Sequence, residues 1–187
     1  MTIGSHTRRT RLTRALIATS VAVTLAACGG DDDGDDAAAG EPGVIEVVAV
    51  DFAFENLPDS VPVGTRLTLV NEAPDELHEI VAIRLRDDEE RSAEELMQLP
   101  PEEMGAVFAG EPVMVLLTPP GGEQVAAVGD GTLTEPGRYL LLCAIPTGVD
   151  PDAYLEAAAR SEGGPPQIEG GPPHLVHGMW AELEVTA

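Results

Sequence analysis

The chain has 187 residues, with 33 acidic side chains against 10 basic ones, a formal net charge of −23 at pH 7, and no lysine. A surface so poor in cations excludes binding to nucleic-acid phosphate, which requires a basic patch. The length fits a single folded domain with a real core, not a string of domains.

In chain order, residues 1–27 have the make-up of an export signal. Arg8, Arg9, Arg11 and Arg14, with no acidic residue among them, precede an apolar run from Ala15 to Ala27. That run falls short of the roughly 20 apolar residues of a membrane span and matches the core of a signal peptide. It ends in Leu25-Ala26-Ala27-Cys28, which resembles the bacterial lipobox. The resemblance implies a lipoprotein. Cys28 is then acylated, with palmitate-type chains, and anchors the mature protein on the extracytoplasmic face of the cell membrane. An ordinary cleaved signal followed by an incidental cysteine is the alternative.

Residues 28–43 are rich in Asp, Gly and Ala and carry almost no apolar bulk. Such a stretch cannot offset the entropy of ordering, so it reads as an acidic flexible tether. Loss of the signal removes four arginines and leaves six basic residues against the 33 acidic ones. The exported chain is therefore soluble and repels anionic lipid headgroups. A partner with a cationic docking face would complement it; a salt-adapted or simply acidic exported protein has the same composition.

From residue 44 the pattern is mostly β. Val44 to Val50 is a β-branched run, and Thr65 to Val70 alternates polar with apolar residues. His78 to Leu85, Val113 to Leu117, Gln124 to Val128, Gly137 to Ile145 and Met179 to Val185 complete the set, separated by Gly, Pro, Asn and Asp. Short strands punctuated in this way predict an all-β sandwich or barrel over residues 44–187.

Two insertions, at about 87–108 and 147–173, interrupt that pattern. In the first, Ser92-Ala93-Glu94-Glu95 predicts a capping box that opens a helix. Pro100-Pro101 stops that helix, and a further helical turn begins at Pro101. In the second, Asp150 is a predicted N-cap, Pro151 suits the first helical position and Gly163 suits the end. The Glu-Gly-Gly-Pro-Pro phrase, present at 162–166 and again at 169–173, reads as an extended loop. Met97, Met104 and Met114 are expected to fill the core.

Four side chains stand out. Period two along Gly137 to Cys143 places Tyr139, Leu141 and Cys143 on one face, with Cys143 near the strand end. Apart from Cys28, Cys143 is the only cysteine, so no intrachain disulfide awaits it. A lone exported cysteine is a buried apolar residue, a reactive thiol or a metal ligand. His78 begins a strand, and His174-Leu-Val-His-Gly-Met179 follows the second insertion.

The order of these residues resembles the cupredoxin family, the blue type 1 copper proteins that include plastocyanin-like and nitrite reductase-like copper domains. The family shows an early His leading a strand, then Gly-x-Tyr-x-x-x-Cys, then a loop with His and a nearby Met. The resemblance implies a Greek-key β-sandwich holding one copper ion per chain through His78, Cys143, His174 and Met179. Two imidazoles and a thiolate form a trigonal set suited to copper, and a weak axial thioether tunes its potential. It also implies an electron carrier, a monomer, that exchanges electrons with a redox partner protein of the envelope. An enzyme would need further metal ligands, and His177 is the only histidine of the mature chain left unassigned.

The sequence departs from the family in three places. Glu79 stands where relatives have an Asn that ties the ligand loops together. The loop from Ala144 to Pro173 is much longer than usual and is placed to cover the edge of His174. His177 is a spare imidazole, read as facing solvent. Copper storage or delivery, and a metal-free envelope interaction domain, remain as alternative functions.

Overall fold

Alternation in the sequence becomes alternation of burial. Leu67 and Leu69 are buried while Arg66 and Val70 are exposed, as a strand with one face on a core requires. The computed structural model describes residues 41–107, 111–161 and 164–187. The expected signal, Cys28 and nearly all of the tether lie outside the described residues.

Two sheets form the sandwich. In the first, β1 (Val44–Val50) lies between β2 (Ala53–Glu55), antiparallel to it, and β4 (Arg66–Asn71), parallel to it. The second contains β3 (Ser60–Pro62), β5 (His78–Arg84), β6 (Met114–Thr118), β7 (Val125–Val128), β8 (Gly137–Leu142) and β9 (Trp180–Thr186). Their order is β3-β9-β8-β5-β6-β7. Strands β5, β6 and β7 are successive antiparallel neighbours, and β8 returns to the free side of β5. The order β8-β5-β6-β7 is that of a Greek key.

The main core lies between the sheets. Val47 and Ala49 of β1 and Leu67 and Leu69 of β4 meet Ile80, Leu116, Tyr139, Leu141 and Leu183 of the second sheet. The period-two reading of β8 holds: Tyr139, Leu141 and Cys143 enter this core, whereas Leu140 and Leu142 point to the other face. That outer face is covered by the first insertion, through Ala93 and Leu96 of α1 (Ala93–Met97). A sheet buried on both faces explains why Tyr139 to Cys143 is an unbroken apolar run.

The capping box forms as expected. The Ser92 hydroxyl accepts from the Glu95 N–H, and the Glu95 carboxylate accepts from the Ser92 N–H. Helix α2 (Pro101–Val107) follows. Of the three methionines, Met114 is wholly buried, while Met97 and Met104 are half-buried. In the second insertion the Asp150 carboxylate caps α3 (Pro151–Arg160) by accepting the Ala153 N–H. The helix stops at Arg160, with Ser161 extended, ahead of the expected stop at Gly163, which lies outside the described residues.

Strands β4 to β7 begin or end within a residue of the sequence reading, and further differences lie in β2, β3, β8 and β9. Strands β2 and β3 were not expected, since three residues leave no room for a periodic pattern. Strand β8 ends at Leu142 instead of Ile145, because beyond it the N–H of Ala144 turns to a side chain, the carboxylate of Glu79. The last strand runs from Trp180 to Thr186, one residue later than expected.

Candidate metal centre

Three of the expected ligands, His78, Cys143 and Met179, flank strand ends at one end of the second sheet, and His174 opens a 3-10 turn, His174–His177. His78 opens β5 opposite Thr118 at the close of β6. Cys143 directly follows β8, and Met179 directly precedes β9, beyond the Leu142–Trp180 pair.

Local hydrogen bonds shape the approach to His78. The buried Asn71 amide donates to the carbonyls of Glu76 and Thr118, each at 2.8 Å, and its oxygen accepts the Ala73 N–H at 2.9 Å. This closes the 71–76 turn and delivers Glu76 and His78 to the site.

The long second loop is pinched at its base. Thr147 N–H donates to the Pro172 carbonyl and Gly171 N–H to the Thr147 carbonyl, at 3.1 and 2.9 Å. Next to them His174 N–H donates to Ile145, Leu175 N–H to Cys143, and Cys143 N–H to Met179, at 3.0, 2.8 and 3.1 Å. The two arms pass so closely that a Cβ on Gly170 would lie 2.6 Å from the Pro146 ring, and one on Gly171 would collide with Thr147. Glycine is required at this crossing. The neck makes the spacing of Cys143 and His174 independent of how much chain lies between them.

The result is a compact donor set. His174 Nδ1 lies 3.2 Å from His78 Nδ1 and 3.3 Å from Cys143 Sγ. The ligand atoms of His78, Cys143 and His174 all fall within 4.8 Å of one another. All three residues are fully buried. Met179 is fully buried in the same core and joined to the ligand turn by its N–H to the His174 carbonyl, at 3.2 Å.

Burial also fixes the charge states. It lowers His78 to about 4, with His174 adding to the effect. Burial lowers His174 as well, against an upward pull from Glu76. Both imidazoles are therefore neutral at pH 7, as metal ligands must be. Burial pushes the Cys143 thiol up; the Glu79 carboxyl adds to this, and the backbone amides of Glu79 and Ile145 work against it. A cation among the three donors would reverse that balance and favour the thiolate. Two neutral imidazoles and one thiol, converging by their Nδ1 and Sγ atoms, suit one copper ion.

Two of the features noted in the sequence, Glu79 and His177, take physical form here. The Glu79 carboxylate accepts the Ala144 N–H at 3.1 Å, so a Glu replaces the expected Asn tie between the ligand segments. His177 is exposed as expected, but its ring also lies against Phe52, with centroids 4.9 Å apart.

The sequence reading missed three neighbours of the site. The Phe52 ring meets His174 edge-on, at 5.0 Å and 75°. Glu76 Oε2 lies 3.3 Å from His174 Nε2, and both Glu76 oxygens accept the Gly148 N–H, at 3.1 and 3.2 Å. Tyr154 of α3 is buried in the same core; burial raises its phenol, and Glu79 and Cys143 add to the effect. The edge of His174 is thus closed by Phe52 and Glu76, and the long insertion takes part through Gly148. Only the position of Glu76, two residues before His78, could have pointed to it.

The structure is thus a Greek-key sandwich with two imidazoles and a thiol gathered at one end, a donor set that could hold a single metal ion. No family model and no curated protein matches the chain. Among solved structures it is similar to the dithionite-reduced auracyanin of the photosynthetic bacterium Roseiflexus castenholzii, at 19% identity, over 77% of this chain and 97% of that one, with a TM-score of 0.43. It is similar to auracyanin B at 20% identity, over 78% of this chain and 89% of that one, with a TM-score of 0.35. A third likeness is to auracyanin A, a "blue" copper protein of the green thermophilic photosynthetic bacterium Chloroflexus aurantiacus. It is 19% identical, over 57% of this chain and 89% of that one, with a TM-score of 0.35.

Proposed function

We propose that this protein is a copper-binding electron carrier of the cell envelope. His78, Cys143 and His174 hold one ion, and Met179 supplies the weak axial thioether. One observation carries the reading: three buried donors from three separate segments meet within 4.8 Å. A closed ligand set on a rigid sandwich leaves the electron as the thing exchanged. Copper supplies the one-electron couple; the protein holds the donors still, keeps both imidazoles neutral and excludes water.

The deciding experiment is a titration of the purified domain with Cu(II), followed by absorption. One equivalent should produce an intense thiolate-to-copper band that Cys143→Ala abolishes. Saturation without that band would overturn the type 1 assignment. Met179→Leu should keep the band and raise the reduction potential; an unchanged potential would remove Met179 from the ligand set.

The lipobox-like Leu25-Ala26-Ala27-Cys28 supports a lipid anchor at the extracytoplasmic membrane face, and Cys28→Ser should release the protein from the membrane fraction. Its electron partner is an envelope redox protein with a cationic docking face, because the exposed surface is acidic. The association rate should then fall as ionic strength rises.

A further inference from the structure

His174 presents its two nitrogens to different neighbours. Nδ1 faces His78 and Cys143, at 3.2 and 3.3 Å. Nε2 lies 3.3 Å from Glu76 Oε2, off the line of a formed hydrogen bond, and no other group pairs with this buried nitrogen. A neutral imidazole that uses one nitrogen as a lone-pair donor carries its proton on the other. With Nδ1 committed inward, the proton belongs on Nε2, beside the carboxylate.

The carboxylate is itself held in place. Both Glu76 oxygens accept the Gly148 N–H, at 3.1 and 3.2 Å, and the Glu76 carbonyl accepts from the buried Asn71 amide. Gly148 has φ +71°, a conformation that L side chains rarely adopt. Phe52 packs edge-on against the same imidazole, and its own φ of +59° is unfavourable for an aromatic residue. His174 consequently has no exposed surface. Charges interact more strongly at such a water-poor contact than in solvent.

We infer that Glu76 is a positioning residue for the copper ligand His174: its carboxylate takes the Nε2–H, fixes the ring and lowers the reduction potential of the centre. The inference rests on the copper reading above and adds the group that tunes it. The physical reason is charge. A carboxylate behind a ligand imidazole makes that imidazole a better donor, and it stabilises the more positive oxidation state. The long insertion acquires a purpose in the same step, because its Gly148 N–H is the clamp on Glu76.

The test has two arms. In the first, the copper-loaded domain is compared with its Glu76→Gln variant at fixed pH by redox titration. The ratio of Cu(II) to Cu(I) affinity should fall about tenfold, which for one electron is a rise of about 59 mV. Glu72→Gln, an exposed charge in the same segment, should leave the potential within a twofold change of that ratio. An unchanged potential in Glu76→Gln, or an equal shift in Glu72→Gln, would overturn the assignment.

The second arm needs no metal. Nitrogen NMR of the metal-free protein should find His174 protonated at Nε2, and Glu76→Gln should shift that signal and speed exchange of its proton. A His174 protonated at Nδ1 would sink the pairing. Failure of the wild type to bind copper would count against the copper reading alone, and the metal-free spectrum would still decide the pairing.

Discussion

The Glu79 carboxylate accepts the backbone N–H of Ala144 at 3.1 Å, which joins the strand that His78 opens to the turn that Cys143 begins. The two segments lie far apart in sequence, and the bond sets the thiol against the imidazole. The carboxyl is buried, and burial raises it to about 7, from an ordinary value of 4.5.

That burial predicts a pH dependence for the metal-free protein. Below about pH 4.5 Glu79 is protonated in both folded and unfolded chains, and its contribution is intact. As pH rises toward 7 the unfolded chain ionises first, so stability is lost through the window from 4.5 to 7. The loss is roughly 3 kcal/mol. His78, lowered to about 4, acts in the opposite sense and loses stability as pH falls from 6.5 through 4. It is common to wild type and Glu79→Gln, so their difference isolates Glu79. The variant should gain on the wild type as pH rises across that window, measured by urea unfolding with copper removed. A difference independent of pH would contradict a buried carboxyl.

Phe52 occupies the second position of the two-residue turn between Val50 and Ala53, at φ +59°. Glycine is free of strain there and alanine is not. Phe52→Gly should therefore be more stable than Phe52→Ala by about 1 kcal/mol, the reverse of their order in regular structure. Both should expose His174 and speed removal of copper by a chelator. Equal stabilities would mean that the turn relaxes without the ring.

Tyr139 is fully buried between the sheets, and its hydroxyl donates to the Glu135 carbonyl at 2.8 Å. Tyr139→Ala should cost about 3 to 5 kcal/mol. Tyr139→Phe loses only the hydrogen bond and should cost about 1 kcal/mol. A cost below about 1 kcal/mol for the alanine variant would be incompatible with this ring filling the core.

Arg138 fastens the first insertion to the sheet. Its guanidinium donates to the carbonyls of Glu89 and Arg91 and to the Glu182 carboxylate, each at 2.7 Å. The second Glu182 oxygen accepts the Ala93 N–H at the start of α1, at 2.9 Å. Arg138→Ala should cost about 2 kcal/mol. The loss should be local, with faster amide exchange at residues 93–97 and a centre that still binds copper. Unchanged exchange in α1 would show that Ala93 and Leu96 hold the insertion by themselves.

By itself the sequence determined the class of fold, the capped helix starts and three of the side chains that meet at one end of the sandwich. Those features are written in short-range chemistry. Leu67 and Leu69 alternate with less buried residues, Ser92 and Asp150 are side chains suited to helix-start amides, and His78, Cys143 and His174 are the residue types copper prefers. Tertiary structure alone decided what surrounds the donors. Phe52, Gly148 and Tyr154 have no local pattern, and Glu76 has only its place two residues before His78, because each meets the site through contacts between segments distant in sequence. The long loop could be counted in the sequence, but its pinched base could not, since that depends on Gly170 and Gly171 passing Pro146 and Thr147 more closely than a Cβ allows. Contacts between distant segments arise from packing, and packing becomes defined only when both sheets are closed.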